Sequence, residues 1–197
     1  AEDRHPAAYQ EDQMKGFTRA ETRFSLCGLN CALCSMRQGG YCPGCGGGAG
    51  NQSCAIARCS IQHGGISFCW ECPEYPCPRY DRFDDGDSFV PHRSRQQDIA
   101  QALEMGLDAY LTRLEEKRAI LEELISSYND GRRKTFFHTA VYLLPLEELR
   151  TIMDYLGSVP EMAACSAKER AATAVELLQE AANRREISLK KRKKGTQ

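Results

Sequence analysis

Ten of the eleven cysteines in this 197-residue chain stand between Cys27 and Cys77, and no other feature limits its fold so strongly. Two arrangements are open to so many thiols: a disulfide framework made in an oxidising compartment, or thiolate ligands kept in a reducing one. The spacing favours ligands. Cys31 and Cys34, Cys42 and Cys45, and Cys69 and Cys72 are C-x-x-C pairs, which suit two ligands on one ion better than a bridge inside the pair. Seven of the sixteen glycines lie between Gly39 and Gly50. A long helix or sheet cannot form through them, so these loops must be held from outside.

The stretch CPGCGGG, residues 42–48, shows what could hold them. Two sulfurs with two residues between them reach one tetrahedral Zn²⁺ when the backbone turns tightly, at about 2.3 Å per bond. Pro43 sets φ at the corner, and Gly44 and Gly46 accept the positive φ that follows. This is the knuckle of zinc-ribbon and rubredoxin-like sites. FCWEC, with Cys69 and Cys72, reads as a second knuckle that lacks the glycine and carries Trp70 as a shield. Twenty-three residues separate the two pairs, a common reach for such sites, so Cys42, Cys45, Cys69 and Cys72 form one expected ligand set. Cys27, Cys31, Cys34, Cys54, Cys59 and Cys77 remain for a second set with two thiols over, or for shared ligands. His63 is a substitute ligand or a loop histidine facing water.

An iron–sulfur cluster is the rival cofactor, a [4Fe–4S] cube in particular, because it uses the same thiolates. Cys72-Pro73 and Cys77-Pro78 echo the cysteine–proline pairs of ferredoxins, although the full ferredoxin run is absent. CGLNCALC has the C-x3-C-x2-C spacing of radical S-adenosylmethionine enzymes. Those enzymes place it before a large α/β barrel, and helical patterns follow here.

CGLNCALC, CPGC, CAIARC and FCWECPEYPCPRY, in that order, resemble the cysteine-rich bacterial and archaeal family catalogued as domain of unknown function 3795. The resemblance spans Leu26 to Tyr80, with a looser match around YNDGRRKTFF. It implies a metal-binding module in which the ten cysteines act as one set, and it brings no reaction with it.

The expected order along the chain is a loose arm over residues 1–24 that ends in the strand-like TRFSL, the cysteine-rich module at 25–80, and an acidic linker at 81–93. A helical bundle at 94–187 and a solvated basic tail at 188–197 follow. Within the bundle, Ile99, Leu103, Leu107, Leu111, Leu114, Leu121, Ile125 and Tyr128 recur at mostly three- to four-residue steps. They predict one long amphipathic helix, opened by a Ser94/Gln97 capping box, kinked at Gly106 and stopped by the NDG at 129–131. RRKTFFHTAVYLL, PLEELRTIMDYL with Gly157 as terminator, and a helix opened by a Ser166/Glu169 box complete about four helices. The fold class expected is therefore α, with a small irregular metal-stabilised module of zinc-ribbon-like loops.

No apolar run nears the roughly 20 residues that cross a bilayer, so no membrane partner is expected. The chain as given shows no apolar signal core, and the cytoplasm is the default compartment. Net charge is −1, which selects no partner. GRRKTFFH and the KKRKK at 190–194 give nucleic acid a weak claim as partner, against a protein partner as the stronger one. In the bland reading the aromatics enter the core. Glu71 and Glu74 are acid–base candidates beside ligands, or ordinary surface carboxylates. Cys165 is a small side chain in a helix connection. No Ser/His/Asp set, phosphate loop or H-E-x-x-H exists, so the function expected is metal binding without catalysis, most simply with two Zn²⁺ ions, in an interaction or regulatory module. The alternative is an iron–sulfur protein acting in electron transfer, redox sensing or as an accessory enzyme.

Overall fold

The computed structural model describes residues 17–48, 54–80 and 84–193. The remaining parts of the expected arm, glycine loop, acidic linker and basic tail lie outside the described residues. Among the described residues seven α-helices form: α1 Ser35–Gln38, α2 Ala55–Gln62, α3 Arg95–Met105, α4 Leu107–Ser127, α5 Lys134–Leu143, α6 Leu146–Ser158 and α7 Ala167–Arg184. No strand is present among the described residues. The strand-like TRFSL makes one isolated bridge, Phe24 to Asn30, because the chain turns back at Gly28 within four residues. The class is α.

The expected single helix through Gly106 is two. Gly106 adopts φ 86° and ψ 145°, far from helical values, so α3 ends and α4 begins at once. Its opening capping box is absent as well. The Ser94 hydroxyl donates instead to Asp98 Oδ2 at 2.9 Å, which leaves the helix end uncapped by that side chain. The second box forms as expected. Ser166 Oγ accepts from the Glu169 N–H, and Glu169 returns to the Ser166 N–H at 2.8 Å. Gly157 stays inside α6, which runs one residue further and stops ahead of Pro160.

α4 is the hub and packs on α3, α5, α6 and α7. Its Leu114, Leu121 and Leu124 meet Phe137, Ala140 and Val141 of α5 and Leu149 of α6 in one buried cluster. α7 supplies Ala171, Ala174, Ala181 and Ala182, all fully buried; side chains this small let its backbone approach the others closely. The same cluster takes in Phe24, Ala32, Leu33 and Phe68 from the cysteine-rich half. Trp70 stacks on Phe68 with centroids 4.1 Å apart and joins this junction, so packing against the bundle is its place.

The basic tail is pinned where it is described. The buried Asp87 carboxylate accepts from the Arg192 N–H at 2.8 Å and the His92 N–H at 2.9 Å. Lys191 Nζ donates to the Phe89 carbonyl at 2.6 Å. An isolated basic run would be solvated; here the acidic linker supplies its partners.

Candidate metal centre

Short elements carry the ten cysteines. Cys31–Leu33 is a 3₁₀ turn with Cys34 at its end, Cys54 sits at the N-cap of α2 and Cys59 within it, and Cys69–Glu71 is a second 3₁₀ turn closed by Cys72. All eleven thiols are unbridged.

The CPGC turn forms as its residues dictate. Gly44 has φ 93°, and a Cβ there would run into the Arg37 guanidinium and the Thr22 carbonyl. Arg37 fills that space because it ties the turn together, donating to the Thr22 and Pro43 carbonyls at 2.7 and 2.9 Å. Gly28, after Cys27, has φ 92°, and a Cβ would stand 2.6 Å from the Ile99 side chain. The first cysteine is thereby held hard against α3.

The sulfurs fall into two adjoining neighbourhoods, with Cys45 of the first acting on Cys69 of the second. In the first, the Cys45 N–H points at the Cys31 sulfur and the Leu26 N–H at the Cys45 sulfur, while Cys27 and Cys54 lie within electrostatic reach of Cys45. Burial pushes the Cys27 thiol up to about 12, opposed by a 3.3 Å contact with the Ser25 hydroxyl. Burial raises Cys31 and Cys45 too. In the second, Cys59, Cys69, Cys72 and Cys77 line one cavity of about 20 Å³ together with Ile56, Ile66 and Tyr80. Burial pushes Cys69 up to about 11, with the Tyr80 hydroxyl beside it acting the other way and Cys77 and Cys59 adding to the rise.

This arrangement differs from the set expected from spacing. Cys69 and Cys72 share their cavity with Cys59 and Cys77, and Cys45 keeps company with Cys31, Cys27 and Cys54. Cys34 packs against the bundle core. His63 closes α2, its Nδ1 2.9 Å from the Cys59 carbonyl and 3.5 Å from the Cys59 sulfur, with Nε2 3.7 Å from Glu74. Glu71 accepts from the Ser67 and Phe68 N–H groups at 2.8 and 3.2 Å; it braces the turn and is engaged there. Among the described residues, no three His, Cys, Asp or Glu side chains stand as a ready-made metal-holding group.

Two arginines that spacing could not reveal flank the sulfurs. Arg95 is wholly buried, pairs with Asp84 at 3.0 Å, lies 4.2 Å over the Tyr80 ring and acts on Cys27. Arg19 donates to the Ser67, Phe24 and Cys45 carbonyls at 2.8, 3.1 and 3.3 Å. Neither has a motif around it. By residue type alone the donors are those a thiophilic cation prefers: sulfur dominates both neighbourhoods, backbone N–H groups aim at sulfur, and positive charge stands by.

The aromatic patch of GRRKTFFH is occupied, since Phe137 is fully buried and Phe136 packs beside it. Among the described residues no helix is long and apolar enough to cross a membrane. Comparison with family models, curated proteins and solved structures finds no match.

Proposed function

We propose that the cysteine-rich half binds two Zn²⁺ ions, one through Cys27, Cys31, Cys45 and Cys54 and one through Cys59, Cys69, Cys72 and Cys77. The chain then acts as a structural metal module presenting a surface to a protein partner. The observation that carries this is the cavity of about 20 Å³ walled by Cys59 of α2, Cys69 and Cys72 of one 3₁₀ turn, and Cys77. Cys34 and Cys42 stand outside these two proposed sets. Four thiolates leave no open coordination position for water, so the ions shape the loops and do not hydrolyse anything. Kinship with the family catalogued as domain of unknown function 3795 belongs to the same proposal.

Elemental analysis of anaerobically purified full-length protein tests it. The expected result is two zinc ions per chain, one lost on Cys59→Ser or Cys77→Ser and none lost on Cys34→Ser or Cys42→Ser. A brown protein absorbing near about 400 nm, with iron in place of zinc, would establish the iron–sulfur reading, for which the C-x3-C-x2-C spacing of Cys27, Cys31 and Cys34 speaks.

A further inference from the structure

A cavity of about 290 Å³ opens between α3, α4 and the corner where α5 meets α6. It owes nothing to the cysteines. Four charged side chains face it, two of each sign. Arg113 and Lys117 stand one turn apart on α4, so both project to the same side. Asp98 faces them from α3, and Glu147 from the first turn of α6.

The inner pair is arranged around open space. Asp98 is buried, held by the Ser94 hydroxyl at 2.9 Å and the Tyr110 hydroxyl at 3.0 Å. Lys117 donates to the Tyr142 carbonyl at 3.2 Å, and an ammonium has three hydrogens to place. Asp98 and Lys117 attract each other across the cavity, but they form no ion pair among the described residues. Burial pushes Lys117 down to about 8, with the Asp98 charge acting the other way. At the mouth, Arg113 meets Glu147 at 2.6 Å with both side chains partly exposed. Such a pair is weak and exchanges partners readily. Met105, Leu114 and Leu146 provide the apolar wall.

We propose that this cavity binds a free α-amino acid with an apolar side chain, its carboxylate taken by Lys117 and Arg113 and its ammonium by Asp98 and Glu147. A simple carboxylic acid would set its charge against Asp98, and a simple amine would leave Lys117 unanswered. A zwitterion meets both. The volume lies at the small end of the range for small-molecule sites, which suits one amino acid and excludes a nucleotide.

Isothermal titration of the purified full-length chain with L-leucine and with L-methionine tests this. At least one is expected to bind with one-to-one saturation. For the stronger of the two, the amide and the corresponding acid lacking the amine (L-leucinamide and 4-methylpentanoate, for leucine) should each bind about tenfold weaker or worse, because each lacks one charged contact. Lys117→Met should weaken binding to a similar degree, and Met105→Trp should block it by filling the mouth. Circular dichroism checks that each variant folds; if Lys117→Met does not, Glu147→Gln and Met105→Trp decide the matter at the exposed rim. No saturation by either amino acid up to about 10 mM overturns the proposal. So does equal binding of the one-charge analogues, or unchanged binding in the folded variants.

Discussion

The helical half and the cysteine-rich half reach a defined shape by different means. Between Arg95 and Arg184, five helices bury Leu121, Leu124, Phe137 and Leu178 completely, so apolar surface removed from water supplies the driving force. Between residues 17 and 80 the described residues form two short α-helices and three 3₁₀ turns. Its own cluster is Leu26, Ile56, Ala57 and Tyr80 with two cysteines, Cys27 and Cys69. So small a core rarely suffices without a metal or crosslink. The front half leans on the bundle through Phe24, Leu33 and Phe68 and, in the proposed reading, on coordination.

That contrast is best broken by taking the proposed metal away. Zinc–thiolate binding in small modules amounts to roughly 10 kcal/mol or more of apparent folding energy. Stripping the ions with a mercurial and a chelator is expected to abolish hydrogen-exchange protection around Cys31, Cys59 and Cys69 while α5 and α7 keep theirs. Equal loss in both halves, or none, would remove the distinction. Leu124→Ala should do the reverse, lowering bundle stability by about 2–5 kcal/mol in a urea melt while the metal content of the folded protein stays unchanged.

Gly44→Ala puts a side chain where φ is 93° and where Arg37 and Thr22 already stand. A loss of about 2 kcal/mol is expected from the backbone conformation, read as weaker zinc retention against a competing chelator. The smallest effect concerns the pinned tail. Burial would raise the Asp87 carboxyl, but the Arg192 and His92 N–H groups and the Arg93 guanidinium outweigh it, and its pKa falls below the ordinary value. A carboxyl lowered by folding contributes stability above its unfolded pKa and loses it as pH drops through the folded one. Asp87→Asn should therefore cost about 1 kcal/mol or less near neutrality, with the gap to the parent closing in strong acid. A gap that widens in acid would contradict the assignment.

Much of the bundle was legible in the chain. The NDG stop, the Ser166/Glu169 box and the apolar steps through Leu111, Leu114 and Leu121 are local signals, because helix caps and helix faces are set by residues within one or two turns. Gly106 was legible as an interruption but not as a break, since a kink and a chain reversal use the same residue. Ser94 misled because Asp98, which captures its hydroxyl, is held by Tyr110 from the next helix. The tail misled for a similar reason: nothing near Arg192 announces that Asp87, more than a hundred residues earlier, will be its anchor point.

By itself the amino-acid order determined the α class, the crowd of thiols and the glycine turn at CPGC, all of which depend on neighbours within a few residues. Tertiary structure alone decided that Cys59 and Cys77 would join Cys69 and Cys72, that Arg19 and Arg95 would stand beside the sulfurs, and that Lys117 would face Asp98 across open space. Those meetings depend on how loops and helices fold over one another, and spacing encodes only reach along a backbone.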